Sequence, residues 1–413
     1  MNCIPTTSIY CNMRILLISQ YFWPENFRIN DVVQGLVSRG HEVIVLTGMP
    51  NYPNGKLFAG YGMLKKYPKF WNGIRIYRVP LIPRGNGSSI LLFLNYFSFA
   101  FTASLRTLFL TKKFDAMFVY EPSPITVGIP AMVMKFLSGK KYHFWVQDLW
   151  PESITAAAGI KNKFIISTLN WLTQRIYQSA GSVLVQSLAF TPYIVKQGIS
   201  RDKIIYLPNS TESMEETAYS NRLAEFGLPQ RFTLMFAGNI GNAQSFDTLL
   251  EAAAILKKNG VLINWVIIGD GRMKPEVEKK IHELNIGDSF FLLGQFPVKD
   301  MPSFFACADA LLLSLRKKPI FALTIPSKLQ SYMAFGKPVI ASIDGEGARI
   351  VEEANAGFVS AAEDAEALAH QVQLAAEAPT SLLSQMGANG KMYFEKEFER
   401  EKLLNRIELV LQS

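Results

Sequence analysis

The sequence of 413 residues holds three cysteines and four histidines. Cys3, Cys11 and Cys307 are odd in number and lack the spacing of a disulfide framework or a zinc site, so a reduced, cytoplasmic setting is expected. His41, His143, His282 and His370 lie too far apart in the chain to suggest a local metal centre. No two aspartates stand two positions apart. The Asp-x-Asp device that holds a divalent ion on a diphosphate is therefore missing, and chemistry without metal or cofactor is expected. The opening "MNCIPTTSIYCN" has neither the basic start nor the long apolar core of a signal peptide and reads as an extension ahead of Met13. Long basic runs interleaved with aromatics are also absent, so nucleic acid is not expected as a partner.

What is present is a compact globular composition, 49% hydrophobic and 18% charged. The net charge of +8 favours anionic partners, either phosphorylated small molecules or an anionic bilayer. A chain this long exceeds one ordinary core and predicts two domains of about 150–200 residues each. From Met13 onward, continuously apolar strands alternate with amphipathic helices: "RILLIS" (14–19), a helix over 28–40, "HEVIVLT" (41–47), "DAMFVY" (115–120), "YHFWVQD" (142–148) and "SVLVQS" (182–187). The alternation restarts after "YLPNSTES" (206–213) with "FTLMFAG" (232–238), "WVIIGDG" (265–271), "FFLLG" (290–294), "ALLLSL" (310–315) and "PVIAS" (338–342). Such strands belong to parallel sheets covered on both faces, so the fold class is α/β, with two doubly wound domains. The expected boundaries are 13–205, 206–390 and a long charged terminal helix, 391–413, that can pack back on the first domain.

Two segments bear on membranes. "SSILLFLNYFSFAFTASL" (88–105) is uncharged and near the lower length limit of a spanning helix, but Asn95 and its Ser and Thr residues favour a buried or surface-lying helix. "KNKFIISTLNWLTQRIY" (161–177) sets Lys161, Lys163 and Arg175 beside Phe164, Ile165 and Trp171; it reads as a basic interfacial helix or as an ordinary domain helix.

In open α/β sheets ligands bind at the carboxyl ends of strands, where loops enter helices. Four loops of the second half qualify. "GNIGNAQS" (238–245) offers Gly238 and Gly241 for close backbone approach, or is a tight turn with no ligand. "GDGRMKPEV" (269–277) carries Asp270 between glycines, either at a site or as a turn residue. "GQFPVKDMP" (294–302) places Gln295 and Phe296 where a base can stack. The fourth, "IPSKLQSYMAFGKPVIAS" (325–342), opens a helix at Pro326 and Ser327 and closes it at Gly336. Arg316, Lys317, Lys318 and Lys328 cluster around it, favouring a nucleotide diphosphate over a merely solvated face. In the first half, "SQYFWPENFRIND" (19–31) and "VQDLWPES" (146–153) hold Glu25, Asn26, Asp148 and Glu152. Asp148 follows a strand directly and is the best placed acid for a second substrate, its alternative being a helix cap.

The ordered series "YFWPE", "GLVSRGHEVIVLT", "DLWPES", "GNIGNAQ", "IIGDG", "GQFP" and "PSKLQSYMAFGKPVIAS" resembles bacterial retaining glycosyltransferases of family 4, and "MPNYPNGKLFAGYG" (49–62) looks most like the O-antigen, capsule and colanic-acid branch. That branch includes transferases resembling the N-acetyl-L-fucosamine transferase of O-antigen assembly. The resemblance implies a GT-B fold, two Rossmann-like domains facing a cleft. It implies a nucleotide-sugar donor, expected to be UDP-linked, and a polyprenyl-diphosphate-linked saccharide acceptor. It also implies a peripheral position on the cytoplasmic face of the inner membrane. By position, Gly238, Asn239, Gly241 and Gln244 would form the phosphate loop, Gly269 and Gly271 would line the donor side, and Gln295 and Phe296 would meet the base. Ser327, Lys328 and Leu329 would meet the diphosphate and ribose. The family's Arg and Lys of the phosphate loop are Asn239 and Gln244 here, and its paired glutamates fall on Leu323 and Ser331. Arg316, Lys317, Lys318 and Lys328 are the cations available to replace them, with Ser331 and backbone groups replacing the acids. Alternatives are a nucleotide-sugar 2-epimerase of the same fold and a non-catalytic sugar-nucleotide-binding scaffold.

Overall fold

The computed structural model describes residues 12–62, 65–85, 88–110, 113–153, 162–211 and 222–413. Cys3, Cys11, Lys161 and the end of "YLPNSTES" lie outside them. The chain divides into two compact units, one of residues up to Leu207 together with Leu404–Ser413, the other Pro208–Leu403.

The first unit is built on an eight-stranded sheet: β1 (Arg14–Ile18), β2 (Glu42–Gly48), β3 (Phe70–Trp71), β4 (Ile74–Val79), β5 (Ala116–Glu121), β6 (Tyr142–Val146), β7 (Ser182–Val185) and β8 (Ile204–Tyr206). Their order is β3-β4-β2-β1-β5-β6-β7-β8. All ladders are parallel except β3 with β4. β5, β6 and β7 are buried along their whole length, as their continuous Val, Phe, Leu and Trp content requires when helices cover both faces. The helices α1 (Arg28–Ser38), α2 (Ser89–Thr107), α3 (Gly128–Ser138) and α4 (Lys163–Ser179) are the crossovers. Asn162 caps α4, its side-chain oxygen accepting from the amides of Phe164 and Ile165. α2 is long and apolar enough to cross a membrane, but its inner face packs into the unit. There the buried Asn95 accepts from Gln20 Nε2 at 2.7 Å and donates to the Ile82 carbonyl at 2.7 Å.

The second unit holds β9 (Thr233–Ala237), β10 (Asn264–Ile268), β11 (Phe290–Gly294), β12 (Ala310–Ser314), β13 (Val339–Ser342) and β14 (Gly357–Ser360). They form one six-stranded sheet in the order β11-β10-β9-β12-β13-β14, wholly parallel. The order reverses beside β9, so the loops leaving β9 and its neighbours diverge and open a crevice at their carboxyl ends.

One expectation is corrected. The terminal segment is not a single helix but two, Thr380–Glu397 and Arg400–Leu411. The amides of Phe398 and Glu399 both donate to the Phe394 carbonyl, closing the first helix, and Glu399 forms a bridge with Thr211. From Leu404 onward the second helix belongs to the first unit. Its Glu408 is buried and accepts from Arg39 Nη1 at 2.7 Å and meets His41 Nε2 at 2.8 Å. His41 Nδ1 accepts from the Met13 amide, so Nε2 carries the proton and donates to Glu408.

Candidate active site

In the second unit, the ends of β9, β10 and β11 and the start of the helix Ser327–Phe335 converge on a cavity of about 490 Å³. Gly238, Asn239, Gly269, Gln295, Phe296, Ser327, Lys328 and Ser331 line it, as does Asp270. Two of the glycines are sterically required. A Cβ on Gly269 would lie 1.8 Å from the Gly238 carbonyl oxygen, and one on Gly271 would lie 2.2 Å from that of Ile240. The loops are stitched together by backbone, Gly238 N–H to Ile268 at 2.8 Å and Ile240 N–H to Asp270 at 2.8 Å. Phe296 is held by Phe304, ring centroids 4.7 Å apart. Apolar walls from Val298, Met301, Phe305 and Tyr332 complete a surface suited to a flat ring.

Lys328 gives this cavity its charge. Its stem runs along the Phe236 ring, with Nζ 3.6 Å from the centroid. Nζ is sealed from solvent and has no hydrogen-bond partner among the described residues. Burial without a counter-charge pushes its pKa down to about 7. A Cβ on Gly238 would lie 2.3 Å from Lys328 Cε, so that glycine makes room for the side chain. Lys328 stands in the first turn of its helix, where the amides of Ser327 and Lys328 have no intrahelical acceptor. Ammonium and amides together form an anion seat, while the carboxylate that lines the cavity, Asp270, accepts from the Gly271 amide at 2.7 Å. Ser331 stands one turn on, its hydroxyl donating to the Ser327 carbonyl at 3.3 Å.

Other expected cations and backbone groups are placed elsewhere. Arg316 does not face the cavity: Nε donates to the Asn242 carbonyl at 2.6 Å, and its guanidinium pairs with Asp247 at 3.2 Å and Glu363 at 3.6 Å. It thereby fastens the end of the 238–245 loop. Lys317 and Lys318 are exposed on the approach to the short helix Pro319–Leu323. Leu329 is fully buried and its amide donates to the Pro326 carbonyl, so it anchors the helix instead of meeting a ribose. Gly241 and Gln244 shape the loop behind the cavity, Gln244 Oε1 lying 3.0 Å from where a Gly241 Cβ would stand. Gly271 likewise supports the loop without lining the cavity.

In the first unit, Asp148 lies just beyond β6, with its carboxyl raised to about 6 by burial. The hydroxyls of Ser153 and Ser123, the Leu149 amide and the Trp150 indole partly offset that rise. Beside it, at the end of β5, stands an acid the sequence reading passed over. Glu121 is fully buried, with no side-chain hydrogen-bond partner for its carboxylate among the described residues. Burial first, and then the charge of Asp148, hold its pKa well above the usual carboxylate range. Its one sequence signal was its place at a strand's carboxyl end, in "VYEPSP". Burial first, and then the charges of Glu121, Glu152 and Asp148, hold the Tyr177 hydroxyl well above its usual pKa. Glu25 is not available to a substrate: it is buried and accepts from the amides of Asn51 and Tyr52, both at 2.8 Å. It ties the loop after β1 to the loop after β2, and burial raises its pKa to about 7. Asn26, next to it, is exposed.

Comparison with known proteins agrees with this division. The family of glycosyl transferase 4-like domains matches residues 26–210, and the family of glycosyl transferases group 1 matches residues 223–393. A putative colanic acid biosynthesis glycosyl transferase, WcaI of Escherichia coli K12, is 24% identical over 342 residues, 78% of this chain and 82% of that one. A probable glycosyltransferase of Pseudomonas aeruginosa, WbjE, is 25% identical over 64% of this chain and 66% of its own. Among solved structures, Anabaena HepE in complex with UDP superposes with a TM-score of 0.69 at 14% identity, over 97% of this chain and 99% of that one. The chain therefore belongs to the GT-B glycosyltransferases, joining a glycosyl transferase 4-like domain to a group 1 domain.

Proposed function

We propose that this glycosyltransferase moves a sugar from a nucleotide donor, UDP-linked, to a lipid-linked saccharide in surface-polysaccharide assembly, with retention and without a metal ion. One observation carries the donor side: a buried, unpartnered ammonium, Lys328, at a helix start inside a cavity with aromatic walls. A nucleoside diphosphate answers each part of it. The base stacks toward Phe296, and the diphosphate meets Lys328, Ser327 and the opening amides. Lys328 supplies the charge that the family's Arg and Lys would bring to Asn239 and Gln244. The relatives of colanic-acid and related polysaccharide systems, and the UDP held by the Anabaena neighbour, support the same donor and pathway class.

In the reaction, the C1–O bond to the diphosphate breaks and the acceptor oxygen bonds to C1 on the same face. The developing charge on the departing oxygen falls to Lys328, electrostatics being the largest catalytic contribution at such sites. Asp148 of the first unit, whose charge Glu121 feels, is the acid this reading assigns to the acceptor hydroxyl and its proton. The polyprenyl-linked acceptor places the enzyme on the cytoplasmic face of the inner membrane.

The test is to incubate the protein with UDP-, GDP- and TDP-sugars, with and without a polyprenyl-diphosphate saccharide, in the presence of EDTA. Acceptor-dependent nucleotide release with EDTA present supports the reading. Epimerised donor without acceptor, or tight donor binding without turnover, overturns it in favour of an epimerase or a binding scaffold.

A further inference from the structure

The first unit carries a surface that its own fold leaves uncovered. α2 is apolar on both sides. Its inner side buries Tyr96, Phe99, Ala100 and Ala103, while Ile90, Phe93, Leu94, Phe101 and Leu105 stand exposed on the other. At 100° per residue these five fall on one outward stripe, opposite the buried set. α3 lies beside α2 and α4 beside α3. Each adds large exposed side chains: Phe136 is 88% exposed and Phe164 80%, with Trp171 more than half exposed. On α4, Phe164, Trp171 and Arg175 share one side at i, i+7 and i+11, opposite the buried Leu169, Thr173 and Ile176. Scattered apolar residues on a surface are ordinary, but a run of phenylalanines and a tryptophan across three neighbouring helices is not.

Charge identifies what covers this surface. α2, α3 and α4 contain no Asp or Glu at all, and each contributes at least one cation: Arg106, Lys135, Lys163 and Arg175. A second copy of the chain seated here would bring like charges together with no acid on these helices to neutralise them. An anionic lipid surface supplies both the apolar boundary layer and the countercharge.

We propose that α2, α3 and α4 form a monotopic docking face for an anionic bilayer. Phe93, Phe101, Phe164 and Trp171 enter the headgroup–acyl boundary, and Arg106, Lys163 and Arg175 meet lipid phosphates. α2 lies in the interface plane and does not span it, because its inner face is locked into the unit through Asn95. The assignment deepens the lipid-linked acceptor reading by naming the surface that meets the membrane, and its test uses no nucleotide and no acceptor.

The full chain is sedimented with phosphatidylcholine vesicles, and with vesicles containing roughly one-third phosphatidylglycerol. Binding to the anionic vesicles alone, weakened by added salt, is expected. The double substitution F101S/W171S should weaken it by at least about tenfold, given the apolar burial lost with two rings. The exposed Met392→Ser, in the second unit, should leave it unchanged. Circular dichroism establishes that the variants are folded, and a milder pair, F101L/W171L, replaces them if they are not. Three results overturn the proposal: no binding to anionic vesicles, equal binding by folded F101S/W171S, or light scattering showing that the face instead joins two copies. Sugar transfer to a water-soluble acceptor analogue continues in all three cases if the donor-site reading is right.

Discussion

Replacing Lys328 with methionine should make the second unit more stable while weakening its affinity for nucleoside diphosphates. The lysine's pKa falls from 10.5 to about 7 on folding, because its ammonium is buried over Phe236 with no acid beside it. Between those values the unfolded chain binds the proton more tightly than the folded one, so the charge opposes folding below pH 7 and the penalty fades as pH rises toward 10.5. At roughly 1.36 kcal/mol per pKa unit, the penalty at pH 7 is about 4 kcal/mol, to within a factor of about two. Methionine has a similar unbranched length and no charge to desolvate. For a unit of this size the gain corresponds to a rise in Tm of roughly 10 °C at pH 7, shrinking to a few degrees at most by pH 10. Differential scanning calorimetry at both pH values reads the effect. A lower Tm for Lys328→Met at pH 7, or an equal gain at both pH values, would refute the reasoning.

Because Lys328 must be charged to hold a diphosphate, wild-type nucleotide affinity should fall about a hundredfold between pH 6 and pH 9, following its pKa of about 7, and be flat in Lys328→Met; calorimetric titration across pH measures this, and a flat wild-type profile counts against it. Gly269→Ala, whose Cβ would meet the Gly238 carbonyl at 1.8 Å, should abolish nucleotide binding, whereas Gly260→Ala, with nothing within 4 Å, should cost only about 1 kcal/mol in urea unfolding. Glu408→Ala removes the buried carboxylate that Arg39 and His41 share and should destabilise the first unit by about 3–5 kcal/mol, read by urea denaturation; a change under about 1 kcal/mol would show that this buried pairing contributes little. Since Asp148, Glu25 and Glu121 all have raised pKa values, the first unit should lose stability as pH rises from about 4 to 7, whereas Lys328 should make the second unit gain stability only above pH 7, and separate calorimetric transitions would reveal the two trends.

The strands of both sheets were largely legible because burial on both faces enforces unbroken apolar runs such as "MFVY" and "LMFA". β4 was missed because "IRIYRV" alternates, with Arg75 exposed and Arg78 turned inward onto the Gly48 carbonyl. β14 was missed because "GFVS" is short and begins with glycine. At the donor side, the glycines, Gln295, Phe296, Ser327 and Lys328 could be read from strand ends and helix starts. What sequence could not rank was the four cations, since a linear cluster does not reveal which ammonium lacks a partner. Arg316 found Asp247 and Glu363, partners 69 and 47 positions away. The same limit applied to Glu25, whose loop-tying role depends on amides of Asn51 and Tyr52, and to Glu121, which only the sheet places beside Asp148.

The central claim is that Lys328 meets the diphosphate of a nucleotide whose base lies toward Phe296. Isothermal titration of wild type and Lys328→Met with uridine and with UDP at pH 6.5 tests it most directly. The account predicts at least about tenfold weaker UDP binding in the variant, consistent with losing a charged hydrogen bond, and unchanged binding of uridine. Equal affinity for UDP in the two proteins, or a parallel loss for uridine, would contradict it.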